Sequence, residues 1–197
     1  LYVRDRSPSV RFTGDRYVLP IGMRPTVPVV SVNTTTIDLS LYRLPERAVA
    51  ERIRSGNFAS QLFSYEAQRM GDELGVAVWS GTLSVETELN REVVTGIPVE
   101  GMDGLAEPGL YVLTARPQDD SGDGWGPQAT QWLIISDIGL SGIAGTHGMT
   151  GMTGSLGAAA PFGSLSVELV ARDNSVLGTA ETDRDGLASF PPGLLRG

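Results

Sequence analysis

Apolar and polar residues alternate along most of this chain with a period of two, the pattern of a strand that buries one face. From Thr36 onward, Ile37, Leu39 and Leu41 alternate with Asp38, Ser40 and Tyr42. The stretches Val10–Leu19 and Thr26–Tyr42 are rich in Val, Ile, Thr and Tyr, which favour the pleated backbone, while Pro20, Pro25 and Pro28 interrupt them. Proline cannot donate to a ladder, so edge strands or crossings between sheets are expected there. Val76–Leu89 alternates again, with Leu83, Val85 and Leu89 on one side and Ser84, Glu86 and Glu88 on the other, predicting a half-exposed antiparallel strand. Val93–Val99 and Leu110–Ala115 supply two more, the second behind the turn signal Glu107, Pro108, Gly109.

One segment leaves this rhythm. Pro45–Arg54 and Phe58–Met70 are rich in Ala, Glu, Gln and Arg, and their apolar residues (Leu44, Val49 and Ile53; Phe58, Leu62 and Tyr65) fall near helical spacing. Gly56 and Asn57 separate two short predicted helices and Gly71 ends the second, giving a helical insertion at about residues 45–71. Its apolar residues need burial, so a cap over an open end of a β-sandwich is favoured over a recognition helix pair.

The run Thr130–Leu140 (TQWLIISDIGL) reads as one strand that leaves a first domain and enters a second almost without a linker. The boundary is placed at residues 137 and 138. Beyond it, Gly142–Gly163 is rich in Gly, Thr, Ser and Ala and predicts at most a thin edge strand around Met149–Leu156. In Leu165–Ala171, the apolar Leu165, Val167, Leu169 and Ala171 alternate with Ser166, Glu168 and Val170. Turns at Asp173–Ser175 and Asp183–Gly186 then predict a meander through Val176–Phe190. About sixty residues with four strands fall short of the roughly 100 residues and seven strands of a β-sandwich, so the second domain is expected to be incomplete. The fold class expected is all-β: two tandem antiparallel β-sandwiches, residues 1–137 with the helical insertion and residues 138–197 as the start of the second.

Composition supports a globular reading. Of 197 residues, 41% are hydrophobic and 19% charged, and no apolar run approaches the roughly 20 residues that span a bilayer. LYVRDRSPSV at the start lacks the order of a signal peptide, so any targeting segment is expected outside this sequence. With no cysteine, there are no disulfides, thiolate metal sites or cysteine nucleophiles. A net charge of −8 argues against nucleic acid. The charge is uneven: residues 1–54 hold nine Arg against five acids, whereas residues 72–137 hold two Arg against twelve acids. Pairing of the two segments within one fold is the favoured explanation over long-range steering.

Chemical candidates are few. Asp119, Ser121, Asp123 and Gly124 resemble the first half of a calcium loop, but Thr130 stands where a bidentate Glu is wanted, and a solvated hairpin loop is preferred. Asp183 and Asp185 with Gly186 read as a turn whose carboxylates cap backbone N–H groups. The sole histidine, His147, has no Ser or Asp partner that sequence can assign. Trp79 and Trp132 fall in strands and read as packing, which leaves Trp125 in the loop GDGWGPQ as the one candidate for an exposed contact, for instance with a sugar ring. No catalytic, metal-binding or cofactor-binding set emerges, and the chain is read as non-enzymatic without a cofactor.

The succession WSGTLSVETELNREVVTGIPV, PGLYVLTA, TQWLIISDIGL, LSVELVARDNSVLGTAETDRDGLASF and PGLLRG resembles the N-terminal half of bacterial alpha-2-macroglobulins, from Tyr17 to Gly197. The strand crossing Trp132–Leu140 and the ARDNSVLGTAETDRDG hairpin carry the resemblance most distinctively, and none of these pieces is a catalytic motif. The resemblance implies macroglobulin-like β-sandwich domains, related to immunoglobulin and fibronectin sandwiches. The parent would be a large periplasmic protein, anchored through a lipidated N-terminus outside this sequence, that traps proteases by a cleavable bait region and often a thioester. The partners implied are neighbouring macroglobulin domains of the same chain and the trapped proteases, with no direct membrane insertion by this segment. A thioester needs Cys and Gln, so it cannot lie here, and nothing reads as a bait region. In GMTGMTGSL, Gly151 and Gly154 replace the larger residues expected and predict a weakened strand. The alternative reading is a surface adhesin or carbohydrate-binding module.

Overall fold

The computed structural model describes residues 4–14, 16–22, 26–56, 58–69, 76–118, 128–171, 173 and 175–194. The chain separates into two compact units, Leu1–Ile135 and Ser136–Gly197. Both are built almost entirely of antiparallel sheets, the all-β class that the alternation predicts.

Unit 1 is a sandwich of two sheets. The segment Val10–Leu19 holds two strands, β1 (Ser9–Phe12) and β2 (Arg16–Leu19), which serve different sheets. β1 pairs antiparallel with β3 (Thr26–Val32), and β3 with β6 (Val93–Pro98). The second sheet has the order β2-β8-β7-β4-β5, from β4 (Thr36–Leu44), β5 (Val76–Ser84), β7 (Gly109–Pro117) and β8 (Ala129–Ile135). β2 is its one parallel member, alongside β8. The crossing from β1 to β2 is thus where the chain changes layer. Pro28 stands in β3 one residue beyond the end of its pairing with β1, which stops at Phe12 and Val29. At that position β3 has no neighbour from β1 for the missing N–H to serve.

The inward residues of both sheets meet in one core. Phe12, Val27, Val29 and Ile97 come from the smaller sheet, and Ile37, Leu39, Leu41, Tyr111, Leu113 and Leu133 from the larger. Each such aliphatic side chain contributes about 1.5–3 kcal/mol by leaving water. Val85 joins this core as predicted, but Leu89 is 73% exposed because β5 ends at Ser84 and the chain turns away. The Tyr111 hydroxyl donates to the carbonyl of Glu107 (2.8 Å). Burial pushes the Tyr111 phenol above its ordinary value of 10.0, against the opposing pull of Arg43 and with help from Glu107.

Two short helices follow β4: α1 (Glu46–Arg54) and α2 (Ser64–Arg69). The second is shorter than its pattern predicts, since Phe58–Phe63 is irregular; Asn57 and Gly71 lie outside the described residues. Ala48, Val49, Phe58 and Leu62 pack against Leu44, Leu110, Val112 and Trp132. The segment therefore covers the outer face of the larger sheet rather than an open end of the sandwich. The Trp132 indole N–H donates to the Ser60 carbonyl (2.9 Å), and its ring lies 5.4 Å from that of Phe58.

The basic and acidic segments do meet within this fold. Arg11 pairs with Glu92 (2.8 Å), Arg6 approaches the same carboxylate (3.7 Å), and Arg43 pairs with Glu107. These are exposed pairs worth at most about 1 kcal/mol each. A polar clasp that alternation does not reveal joins the N-terminal segment to two turns. Asn33 and Asn90 both hold a positive φ (50° and 62°). The Asn90 N–H donates to Asn33 Oδ1 (2.6 Å), the Asn33 amide donates to Asn90 Oδ1 (3.0 Å) and to the Arg6 carbonyl (2.7 Å), and the Arg6 N–H donates to Asn90 Oδ1 (2.8 Å).

Unit 2 begins directly after β8. The single strand read across Thr130–Leu140 is interrupted at Ser136–Asp137, and β9 (Ile138–Gly145) starts on the far side. β9, β10 (Gly148–Ser155) and β13 (Leu187–Phe190) form one sheet in the order β13-β10-β9, and β11 (Ser166–Val170) and β12 (Val176–Glu181) form another. β12 and β13 thus belong to different layers and do not complete a meander. β10 is not an edge: it is an eight-residue central strand paired on both sides. The glycines recur every third residue from Gly139 to Gly157, and the register sets Gly139 opposite Gly154, Gly142 opposite Gly151 and Gly145 opposite Gly148. Two positions demand glycine. Gly148 has φ +120° and a Cβ there would lie 2.2 Å from the Phe190 carbonyl oxygen; Gly186 has φ +76° and would meet the Thr153 carbonyl oxygen at 2.3 Å.

Candidate functional site

A trough of about 390 Å³ lies on the outer face of the larger sheet of unit 1. Register builds its floor: Ser80, Ser40 and Thr114 stand opposite one another across β5, β4 and β7, and the row of small hydroxyl residues continues to Thr130 on β8. The next row is Thr82, Asp38 and Arg116, where both Nε (3.2 Å) and Nη2 (3.1 Å) of Arg116 donate to Asp38 Oδ2. On the other side stand Tyr42 and the packed helical segment, tied down where the Gln128 N–H donates to the Leu62 carbonyl (2.9 Å) and the Leu62 N–H to Thr130 Oγ1 (3.1 Å). The trough exists because the hydroxyl row is short while the rows beside it are tall.

Chemically it is a polar contact surface. A hydroxyl becomes a nucleophile only beside a base, and the one carboxylate here, Asp38, is held by Arg116. Among the described residues there is also no group of three His, Asp or Glu suited to a metal ion.

The residues singled out from sequence do not converge. His147 lies at the exposed tip between β9 and β10. Trp132 is buried and Trp79 packs on the core, as their strand positions predict. Trp125 and the acidic loop Asp119–Gly124 lie outside the described residues. Asp183 caps its turn as expected, accepting from the Asp185 and Leu187 N–H groups (both 2.9 Å). The other turn works likewise: the Ser175 N–H (3.0 Å) and hydroxyl (2.6 Å) donate to Asp173, holding its carboxyl below the ordinary carboxylate value. One buried polar group went unremarked in the sequence. Gln131 faces the core beside Leu113 and donates to the Trp132 carbonyl (3.1 Å), but its Oε1 has no partner.

Sequence and structural comparisons bear on this β-architecture directly. Residues 11–119 match the family model of the bacterial alpha-2-macroglobulin MG2 domain, and residues 135–197 that of the bacterial alpha-2-macroglobulin MG3 domain. The alpha-2-macroglobulin of Xylella fastidiosa is 28% identical over 146 residues, which cover 71% of this chain and 9% of that protein. This chain therefore corresponds to a small part of the length of the curated relatives it matches. Native Escherichia coli alpha-2-macroglobulin spanning domains NIE–MG1 superposes with a TM-score of 0.76 at 19% identity, covering 96% of this chain and 89% of that one. Trypsin-activated alpha-2-macroglobulin from E. coli gives a TM-score of 0.69 at 19% identity, covering 94% of this chain and 14% of that one. The structural likenesses establish the fold, and the consecutive family matches, in the order of the two units, establish kinship: the chain belongs to the bacterial alpha-2-macroglobulin family and carries two of its structural, non-catalytic macroglobulin domains.

Proposed function

We propose that these two domains serve as frame elements of a long alpha-2-macroglobulin-like protein that traps and inhibits endopeptidases in the periplasm. Neighbouring macroglobulin domains of the same chain are their immediate partners, and the proteases are met by the whole protein. A lipidated N-terminus outside this sequence would anchor the parent to the membrane. The observation that carries the reading is the pair of consecutive family matches along a chain whose described residues bring no catalytic set together. The E. coli relative that superposes on this chain is described as trypsin-activated, which supports a protease as the agent that acts on the parent.

The test is to challenge the full-length parent with trypsin. Trapping predicts limited cleavage, a change in native-gel mobility, and a protease that still cleaves small peptide substrates while losing activity on large proteins. Progressive digestion of the parent, with trypsin fully active on large proteins, would contradict the reading. Fractionation supplies the compartment: the parent should appear with periplasmic and envelope proteins.

A further inference from the structure

The trough on the outer face of the larger sheet in unit 1 collects polar groups that the fold itself does not use. Ser40 and Tyr42 on β4 and Ser80 and Thr82 on β5 all line it, and none of their hydroxyls makes a hydrogen bond among the described residues. Gln128, just ahead of β8, adds a side-chain amide. In the wall, Arg116 donates through Nε and Nη2 to Asp38 Oδ2, which leaves Nη1 and Oδ1 as a donor and an acceptor side by side. Opposite them, the half-buried Tyr42 ring packs against the cluster around Trp132, an apolar face that carries a polar tip.

Charge and shape narrow the ligand. Asp38 and Arg116 are the only charged residues among the described ones that line the trough, and they neutralise each other. Neither an anion nor a cation finds an unmatched counter-charge there. At about 390 Å³ the trough lies at the small end of ligand clefts, roughly 300–1,000 Å³, a size for a small molecule rather than a folded partner. The floor strands β4 and β7 are paired on both sides, so their backbone groups are engaged in ladders and side chains alone face a ligand. An extended peptide, which joins a sheet through a free backbone edge, is poorly served by such a floor. A polyhydroxylated ring is well served. The floor is also preorganised, since Leu39 and Ala115, which alternate with Asp38, Ser40, Thr114 and Arg116, are anchored in the core.

We propose that the trough binds an uncharged saccharide. Ser40, Ser80 and Thr82 meet its hydroxyls, Asp38 and Arg116 engage a vicinal pair of them, and Tyr42 lies against an apolar ring face. Each sugar hydroxyl both donates and accepts, as do the hydroxyls that line the trough. This goes beyond protease trapping and does not depend on it.

Amide NMR of the 197-residue chain, titrated with maltose, cellobiose and N,N′-diacetylchitobiose up to tens of millimolar, tests it. At least one sugar should shift the amides around Ser40, Ser80, Thr82 and Thr114 in a saturable way. Ser40→Leu, which fills the floor, should abolish those shifts. Thr82→Ala, at an exposed site on an edge strand where folding is not at stake, should weaken binding by about two- to tenfold. No shift with any of the three sugars would overturn the proposal, as would shifts confined to other surfaces or unchanged by both substitutions. Shifts of the same amides by an uncharged Gly-Ser peptide, with none from the sugars, would also overturn it by assigning the trough to protein contact. No protease enters the experiment, so its failure is separable from failure of the trapping reading.

Discussion

β4 in unit 1 and β11 in unit 2 carry the same alternation of apolar and polar residues, yet their apolar faces meet different fates. Those of β4 are almost wholly buried, and those of β11 are half-buried. Both buried core clusters lie in unit 1; among the described residues of unit 2, only Ala188 and Phe190 are buried apolar side chains. Alternation thus tells which face a strand offers, and burial depends on a second layer to receive it. β4 has that layer and two flanking strands, whereas β11 has one neighbour.

The contrast can be broken most forcefully by denaturation. Urea titration of the 197-residue chain should show two transitions rather than one. Unit 1 should keep a stability of roughly 5–15 kcal/mol, while unit 2 is lost at low denaturant. A single transition reported identically by probes in both units would break the comparison. Matched truncations sharpen it next. Leu113→Ala, at a fully buried site, should cost about 2–5 kcal/mol, whereas Leu140→Ala should change stability by less than about 0.5 kcal/mol.

A smaller effect is expected at the asparagine clasp. Asn90→Ala removes hydrogen bonds to Arg6 and Asn33 and places alanine at φ 62°, so unit 1 should lose about 1–3 kcal/mol with unit 2 unaffected. Gln131→Met should leave unit 1 as stable or raise it by about 1–2 kcal/mol, because the partnerless Oε1 disappears from the core. The pH dependence is the smallest. Tyr111 keeps its proton more tightly folded than unfolded, so its contribution is fully present below pH 10 and is lost as pH rises through the folded value. Tyr111→Phe should flatten that alkaline fall in unit 1 and leave unit 2 unchanged.

Much of the fold was legible in the sequence because alternation is a local signal. Ile37, Leu39 and Leu41 announced their face directly, and Trp132 its burial. What was illegible depends on distant partners. The division of Val10–Leu19 into β1 and β2 is made by pairing with β3 and β8, far along the chain. The central place of β10 was missed because its glycines were weighed for propensity alone. Their three-residue period, which the register sets glycine against glycine, was in the sequence to be found. The hydroxyl trough was hidden for the same reason as the sheet order: Ser40, Ser80, Thr114 and Thr130 form a row only once four strands are aligned. The Asn33–Asn90 clasp likewise needs two turns brought together.

The measurement that tests the account most directly is native-state hydrogen exchange across the 197-residue chain, comparing β4 with β11. The account predicts that β4 amides exchange only through global opening of unit 1, while those of Ser166, Glu168 and Val170 exchange orders of magnitude faster through local exposure. Equal protection of the two strands would show that unit 2 is already closed and would contradict it.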